Sequence, residues 1–162
     1  MIIKVKDKIN KHLDKLKSGD GVYLDNKEEL IMSFVFKEDE AWKFLVLANC
    51  CVVGLLDRNK IKALVKYPGD IYVGDTNIAS VSIDGEVVNI IIRVNNDSNS
   101  MKTITDKIYS IDTLMVGMRT FMAIYYNLYQ TNQFHKALEY LNTIPYLESK
   151  WEDHLDKKMV LK

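Results

Sequence analysis

The stretch ASVSIDGEVVNIII, residues 79–92, predicts a β-hairpin around which we expect the rest of the fold to be arranged. Its Asp84-Gly85 dipeptide tolerates the positive φ angles of a two-residue hairpin loop. Pairing outward from this loop places Val81 opposite Val88 and separates an apolar face from a mostly polar one. Because only one face is apolar, the sheet needs a cover on that side. The apolar face comprises Ala79, Val81, Ile83, Val88, Ile90 and Ile92.

Further strands are predicted on the amino-terminal side of this hairpin. Residues 30–36 and 42–53 are rich in aromatic and β-branched side chains, and an acidic turn at 37–40 separates them, as between antiparallel neighbours. A turn at Pro68-Gly69 leads into a strand at 71–73, whereas residues 55–67 fit a short helix or a strand equally well. We therefore predict a mainly antiparallel sheet of five or six strands.

The first residues of the chain predict an amphipathic helix over 3–17. Apolar side chains recur there at helical spacing, and residues 1–19 carry six lysines against two aspartates. The lysines offer a candidate basic contact face on this helix, made of Lys4, Lys8, Lys11 and Lys15.

The carboxy-terminal third predicts one long helix over about 103–130, roughly 40 Å long at 1.5 Å per residue. Its apolar side chains alternate steps of four and three residues, which is a heptad-like seam. A second helix carries Phe134 and ends before Pro145, and the spacing of Leu147, Trp151, Leu155 and Met159 outlines a third. The seam runs through Ile104, Ile108, Ile111, Met115, Met118, Met122, Tyr125 and Tyr129.

Together these elements predict an α+β fold with an N-terminal helix, an antiparallel sheet and a C-terminal helical segment led by one long helix. Residues 1–100 would hold the first helix and the sheet, and residues 101–162 would pack on the sheet. The length of 162 residues suits one compact domain overall, since domains commonly have about 100–200 residues.

Charge and composition weaken several function classes. The chain has 22 basic and 22 acidic side chains, so no net charge attracts nucleic acid, and arginine is scarce. The longest nearly apolar run, residues 44–56, is shorter than the roughly 18 residues of a membrane span. The N-terminus has no signal-peptide pattern, and two adjacent cysteines in an apolar run suit buried thiols. We expect a cytoplasmic protein.

No local motif for chemistry is present. The chain lacks a phosphate-binding glycine loop and a nucleophile elbow, and its three histidines are too scattered for a metal site. We therefore predict no catalytic residue, no metal and no cofactor. An enzyme stays open, because catalytic groups gather in space and not in sequence.

One segment of the predicted helices resembles a single tetratricopeptide helical pair. Phe134, Ala137 and Leu141 stand where that repeat places its turn aromatic, its small packing residue and its large apolar residue. The resemblance implies a protein-interaction surface, although stable arrays have about three or more repeats.

The methionine and aromatic side chains of the long helix suggest an adaptable interface. The resulting hypothesis is a non-enzymatic regulatory or inhibitor protein that forms a homodimer through this helix and binds a second protein. The composition suggests an accessory protein of a low-GC bacterium or phage. The alternatives are a small-molecule or nucleotide-binding domain with a pocket between sheet and helices, and weak nucleic-acid contact through the basic helix. The predicted interface comprises Ile111, Met115, Met118, Met122, Tyr125 and Tyr129.

Overall fold

A computed structural model describes residues 1–37 and 40–147 of the chain, and in these residues an eight-stranded sheet carries helices on one face. The predicted mixed helix-and-sheet fold is therefore confirmed, although the numbers of strands and helices differ from the prediction. The strands are β1 Ile2–Val5, β2 Gly21–Leu24, β3 Glu29–Val35, β4 Leu64–Lys66, β5 Asp70–Val73, β6 Thr76–Asp84, β7 Val87–Arg93 and β8 Tyr146–Leu147. The helices are α1 Ala41–Arg58, α2 Met101–Thr105, α3 Ile111–Gln130 and α4 Phe134–Thr143. The predicted third helix of the C-terminal segment lies almost wholly outside the described residues.

The strands follow the spatial order β1-β2-β3-β7-β6-β5-β4-β8. The outer pairs β1/β2 and β4/β8 are parallel, and every other neighbouring pair is antiparallel. Helix α1 makes the crossover from β3 to β4 over one face of the sheet, and α3 and α4 pack against α1. In the described part of the chain, no helix is long and apolar enough to cross a membrane.

The predicted hairpin forms as β6 and β7, with a register different from the predicted one. Ile83 pairs with Val88 and Val81 pairs with Ile90, so the partners are shifted by two residues. The loop therefore consists of Gly85 and Glu86, and positive φ is confined to Gly85 at +60°. Because a shift of two residues preserves the alternation of faces, the predicted apolar face still points at the helices.

The predicted strand at 42–53 is wrong, since this segment belongs to helix α1. Every residue from Lys43 to Leu56 is buried, on every side of the helix. A helix that is buried all round shows no amphipathic period in its sequence. Only the length of α1, 18 residues, distinguishes it from a strand. The ambiguous segment that follows resolves into the end of α1 and then strand β4.

The predicted N-terminal helix over 3–17 is also wrong. Residues 2–5 pair with β2 as a parallel edge strand, and two short 3-10 turns follow, at Ile9–Lys11 and Leu13–Lys15. The apolar side chains that gave the helical spacing instead cover the far face of the sheet. Their cluster contains Val5, Leu16, Val22 and Val35, with Ile9 and Leu13 packed against it.

The single long helix over 103–130 is interrupted. Asp106 ends α2 in the left-handed conformation, and Ser110 caps α3 by accepting a hydrogen bond from the Thr113 amide. Between them, the side chain of Asn95 donates to the Tyr109 carbonyl at 2.7 Å and accepts from the Tyr109 amide at 2.9 Å. Because the Asn95 side chain satisfies both the amide and the carbonyl of Tyr109, this residue does not need helical hydrogen bonds, and the chain turns before α3 begins.

A polar cluster fastens the start of α3 to the edge of the sheet. The Tyr23 hydroxyl on β2 donates to Asp112 Oδ1 at 2.8 Å, and Lys4 Nζ on β1 donates to Asp112 Oδ2 at 3.0 Å. Lys4 also lies 3.4 Å from Asp25. The hydrogen bond from Tyr23 and the bond from Lys4 lower the pKa of Asp112 below its ordinary value.

The turn between β4 and β5 gives a stability prediction. The Gly69 carbonyl accepts a hydrogen bond from the Val81 amide at 2.7 Å, and a Cβ at Gly69 would overlap the Val81 carbonyl group. We expect Gly69→Ala to lower the free energy of unfolding by more than about 2 kcal/mol, because two backbones would have to separate. Urea denaturation measures this free energy, and the dependence of the free energy on urea concentration should be the same as in the native chain. Gly85→Ala is the control, since its positive φ costs about 1–2 kcal/mol but the space around it is open. Equal losses in both variants would contradict the close approach.

The polar cluster gives a pH prediction. Because the pKa of Asp112 in the folded chain lies below its unfolded value, its stabilising effect is complete above the unfolded pKa and is lost as the pH falls through the folded one. The difference in unfolding free energy between the native chain and Asp112→Asn should thus be largest near neutral pH and shrink below about pH 4. Urea titrations between pH 3 and 7 measure this difference. Asp14→Asn removes an exposed carboxylate without an ion pair among the described residues, and its effect should be small throughout. If the difference for Asp112→Asn does not change with pH, the ionised Asp112 carboxylate does not stabilise the fold as predicted.

Candidate functional site

An apolar cleft of about 310 Å³ lies between helices α1 and α3 and the end of strand β3. Its floor is buried, and aromatic rings line part of its wall, with the Phe36 and Tyr126 rings 5.4 Å apart. The volume is near the lower end of the range for ligand pockets, roughly 300–1,000 Å³, so the cleft suits a small molecule. Its apolar walls include Phe34, Phe36, Leu47, Ala48, Met122 and Tyr126.

The cleft draws its walls from several separate stretches of the chain: residues 1–2, Gly19, the end of β3 with Phe36, and helices α1 and α3. On α3, Arg119, Met122, Ala123 and Tyr126 follow the spacing i, i+3, i+4, i+7, which places them on one side of the helix. The sequence analysis recognised the apolar seam of this helix but gave Arg119 no role. The sequence does contain a signal for it: Arg119 has the helical spacing that places it on the same side of α3 as the other cleft residues.

The Cys51 thiol forms part of the cleft floor, with Cys50 beside it in the core. Burial raises the pKa of both thiols well above the ordinary value, and Cys50 Sγ donates to the Ala137 carbonyl at 3.4 Å. Both cysteines are free. A buried, protonated thiol is neither a nucleophile nor a metal ligand, so Cys51 contributes shape to the cleft.

Arg119 supplies the charge at the cleft. It is exposed, its Nη2 donates to the Ile2 carbonyl at 3.2 Å, and its guanidinium carbon lies 6.0 Å from the centre of the Tyr23 ring. No carboxylate among residues 1–37 and 40–147 lies within ion-pair distance of it. The cleft therefore combines an apolar interior with one charged side chain among the described lining residues, and Met1, whose amino group pairs with Asp20, also lines it.

A second, more polar cleft of about 370 Å³ lies beside the β2–β3 turn. Its polar groups are largely engaged with one another: Lys4 with Asp112, Asn26 with the turn amides, and Asn95 with Tyr109. These bonds stabilise the junction of the sheet with α3.

The predicted interface residues divide into two groups. Ile111, Met115 and Met118 are buried in the hydrophobic core of the single chain, whereas Met122, Tyr125 and Tyr129 are half-buried. Met122 and Tyr125 line the apolar cleft. The most exposed apolar side chains of α3 lie elsewhere, at Val116 with 61% and Ile124 with 51% exposure. The homodimer and the second protein partner stay predictions.

The four lysines of the predicted basic face do not share a helix. Lys4 lies on β1 and is paired with acidic side chains, whereas Lys8, Lys11 and Lys15 follow in the segment of 3-10 turns. Lys11 Nζ lies 3.9 Å from Asp7. The helical arrangement on which the nucleic-acid alternative depended is therefore absent from this part of the chain.

Among the comparisons with known proteins, only the comparison of structures gives matches. No family model matches the chain, and no curated protein matches it. The crystal structure of biotin protein ligase from Aquifex aeolicus matches with a TM-score of 0.74 and 18% identity, over 90% of this chain and 77% of that one. The same ligase in complex with biotin and ATP gives 0.73 and 16%, over 89% and 78%. A biotin protein ligase-like protein of unknown function from Silicibacter sp. TM1040 gives 0.69 and 11%, over 90% and 77%.

These matches correct the functional hypothesis. The interpretation as a non-enzymatic regulatory or inhibitor protein is wrong, and so is that as a bacterial or phage accessory protein, because the solved structures that the chain matches include biotin protein ligases and a ligase-like protein. At such low identity the matches establish the fold and leave the ligand open. The chain shares its mixed helix-and-sheet fold with the biotin protein ligases.

Proposed function

We propose that this chain is a small-molecule-binding domain whose site is the apolar cleft between β3, α1 and α3. The observation that carries the proposal is the combination of a pre-formed, mostly apolar cleft of about 310 Å³ with the guanidinium of Arg119 in its lining. Mostly apolar walls with a few placed polar groups are the usual composition of ligand sites. The likeness to biotin protein ligases supports it, since one of those ligases was solved with biotin and ATP.

The proposal is limited to binding because the cleft lacks the groups for catalysis. Among the described residues that line it, no carboxylate or imidazole occurs, and the Cys51 thiol is kept protonated by burial. General acid–base chemistry needs a group that titrates near the working pH. The guanidinium of Arg119 stays charged and can orient or hold an anion, which is a binding role.

Ala123 offers a direct test, because it lines the cleft and is exposed on α3. Biotin and ATP are the first compounds to titrate, by calorimetry and by thermal unfolding. A ligand at a hundred times its dissociation constant should raise the free energy of unfolding by about 2.7 kcal/mol. In Ala123→Trp the indole would occupy the mouth, and we expect binding to weaken by at least about tenfold, or about 1.4 kcal/mol.

The matched control is Thr120→Trp, which adds the same side chain one turn away at an exposed position outside the cleft. Its affinity for the same compound should equal that of the native chain. Binding that survives Ala123→Trp unchanged would place the ligand outside the cleft and overturn the assignment of the site.

A further inference from the structure

The N-terminal strap, as we name residues 1–16, is attached to the fold through few buried side chains. Only Val5 and Leu16 of these residues are buried. Both belong to a small apolar cluster on the far face of the sheet, with Val22 and Val35, and this cluster is separate from the main core. Segments with few buried apolar contacts open locally at a lower free energy than global unfolding. The strap therefore has the features of a segment that opens on its own.

Strand β1, the first part of the strap, lies at the edge of the sheet, and β2 is its one neighbour among the described strands. Its side-chain fastenings lie at the surface: Lys4 pairs with Asp25 and Asp112, and all three side chains are at least 40% exposed. Exposed ion pairs of this kind stabilise a fold only slightly. Strand β2 also pairs with β3, so β2 can stay in the sheet when β1 leaves it.

The strap also forms part of the wall of the apolar cleft. Met1 and Ile2 line the cleft together with residues of β3, α1 and α3. The Ile2 side chain packs against the main core, and its carbonyl accepts the hydrogen bond from Arg119 at 3.2 Å. Without these two residues the cleft would lose part of its wall, and the guanidinium would lose this partner. A ligand that contacts this wall therefore binds the closed strap better than the open one, and the two equilibria are linked.

We propose that the N-terminal strap opens as a unit while the rest of the chain stays folded, and that its closure completes the cleft around a bound molecule. The second part rests on the proposed function, because it describes how access to the same cleft is controlled. The first part does not, since the strap can be observed to open without any ligand.

Hydrogen exchange of single amides, followed by NMR, tests the opening in the free chain. The Gly21 and Asp25 amides donate to carbonyls of the strap, 2.9 and 2.7 Å away, near the two ends of β1. The Val35 amide donates at 2.9 Å to a carbonyl outside the strap. Because one opening event breaks both bonds to the strap, we expect equal protection factors for Gly21 and Asp25. These should lie at least about tenfold below that of Val35.

Lys4→Gln removes both ion pairs of the strap at a position outside the cleft. Exchange of Gly21 and Asp25 should quicken by the same factor, about two- to fivefold, with Val35 unchanged. Lys6→Gln is the matched control, because Lys6 is an exposed lysine of the strap without an ion pair among the described residues, and it should leave all three amides unchanged. Unequal factors for Gly21 and Asp25, or native protection equal to that of Val35, would overturn opening as a unit.

Biotin or ATP, added at a hundred times its dissociation constant, tests the link to the cleft. If the compound binds only when the strap is closed, exchange of Gly21 and Asp25 should slow by about a hundredfold, because the compound must leave before the strap opens. In Ala123→Trp the same concentration should slow exchange far less. Unchanged exchange in the presence of bound compound would overturn the link. If neither compound binds, the proposed function and the link both fail, and exchange of the free chain still decides whether the strap opens.

Discussion

The fold depends on burying helix α1 from all sides. Its fourteen buried residues form an unbroken run from Lys43 to Leu56, so the helix is stable only between two layers. The sheet supplies one layer, and α3 with α4 supplies the other. Helix α3 approaches α1 closely at a small residue: a Cβ at Gly54 on α1 would meet the Phe121 ring on α3 at 2.9 Å. Because α1 fixes the distance between the layers, it also fixes the depth of the apolar cleft.

Lys43 on α1 is the one buried charged side chain among the described residues, and aromatic rings surround it. Lys43 is 4% exposed, its ammonium pairs with Glu40 at 2.6 Å, and it lies 5.3–5.9 Å from the rings of Phe134, Trp42 and Tyr129. A buried ammonium is costly unless it is paired, and cation–π contacts add attraction where water is excluded. The cluster joins the start of α1 to the end of α3 and the start of α4. It therefore positions α3 along α1, which keeps the cleft-facing side of α3 in place.

How much of this the sequence could predict depends on the range of the interactions. The faces of the hairpin were predictable from alternation alone, whereas its register depends on which residue takes positive φ, and Gly85 does so alone. The nature of α1 was missed because an all-apolar segment shows no helical period. The break before α3 was not predictable locally, since Asn95 makes it from fourteen residues away. Parallel pairing with β2 likewise overrides the helical spacing of the first residues.

The same distinction explains why the sequence analysis gave a pocket between sheet and helices only as an alternative and assigned no residue to it. Its walls come from several separate stretches of the chain between Met1 and Tyr126, so no local motif could mark it. The methionine and aromatic side chains of α3 had been assigned to an interface between chains. The structure divides them between the core, which takes Met115 and Met118, and the cleft, which takes Met122 and Tyr125. Flexible thioether and broad aromatic side chains adapt to whatever lies against them, and here one side of a single helix serves both packing and the proposed ligand.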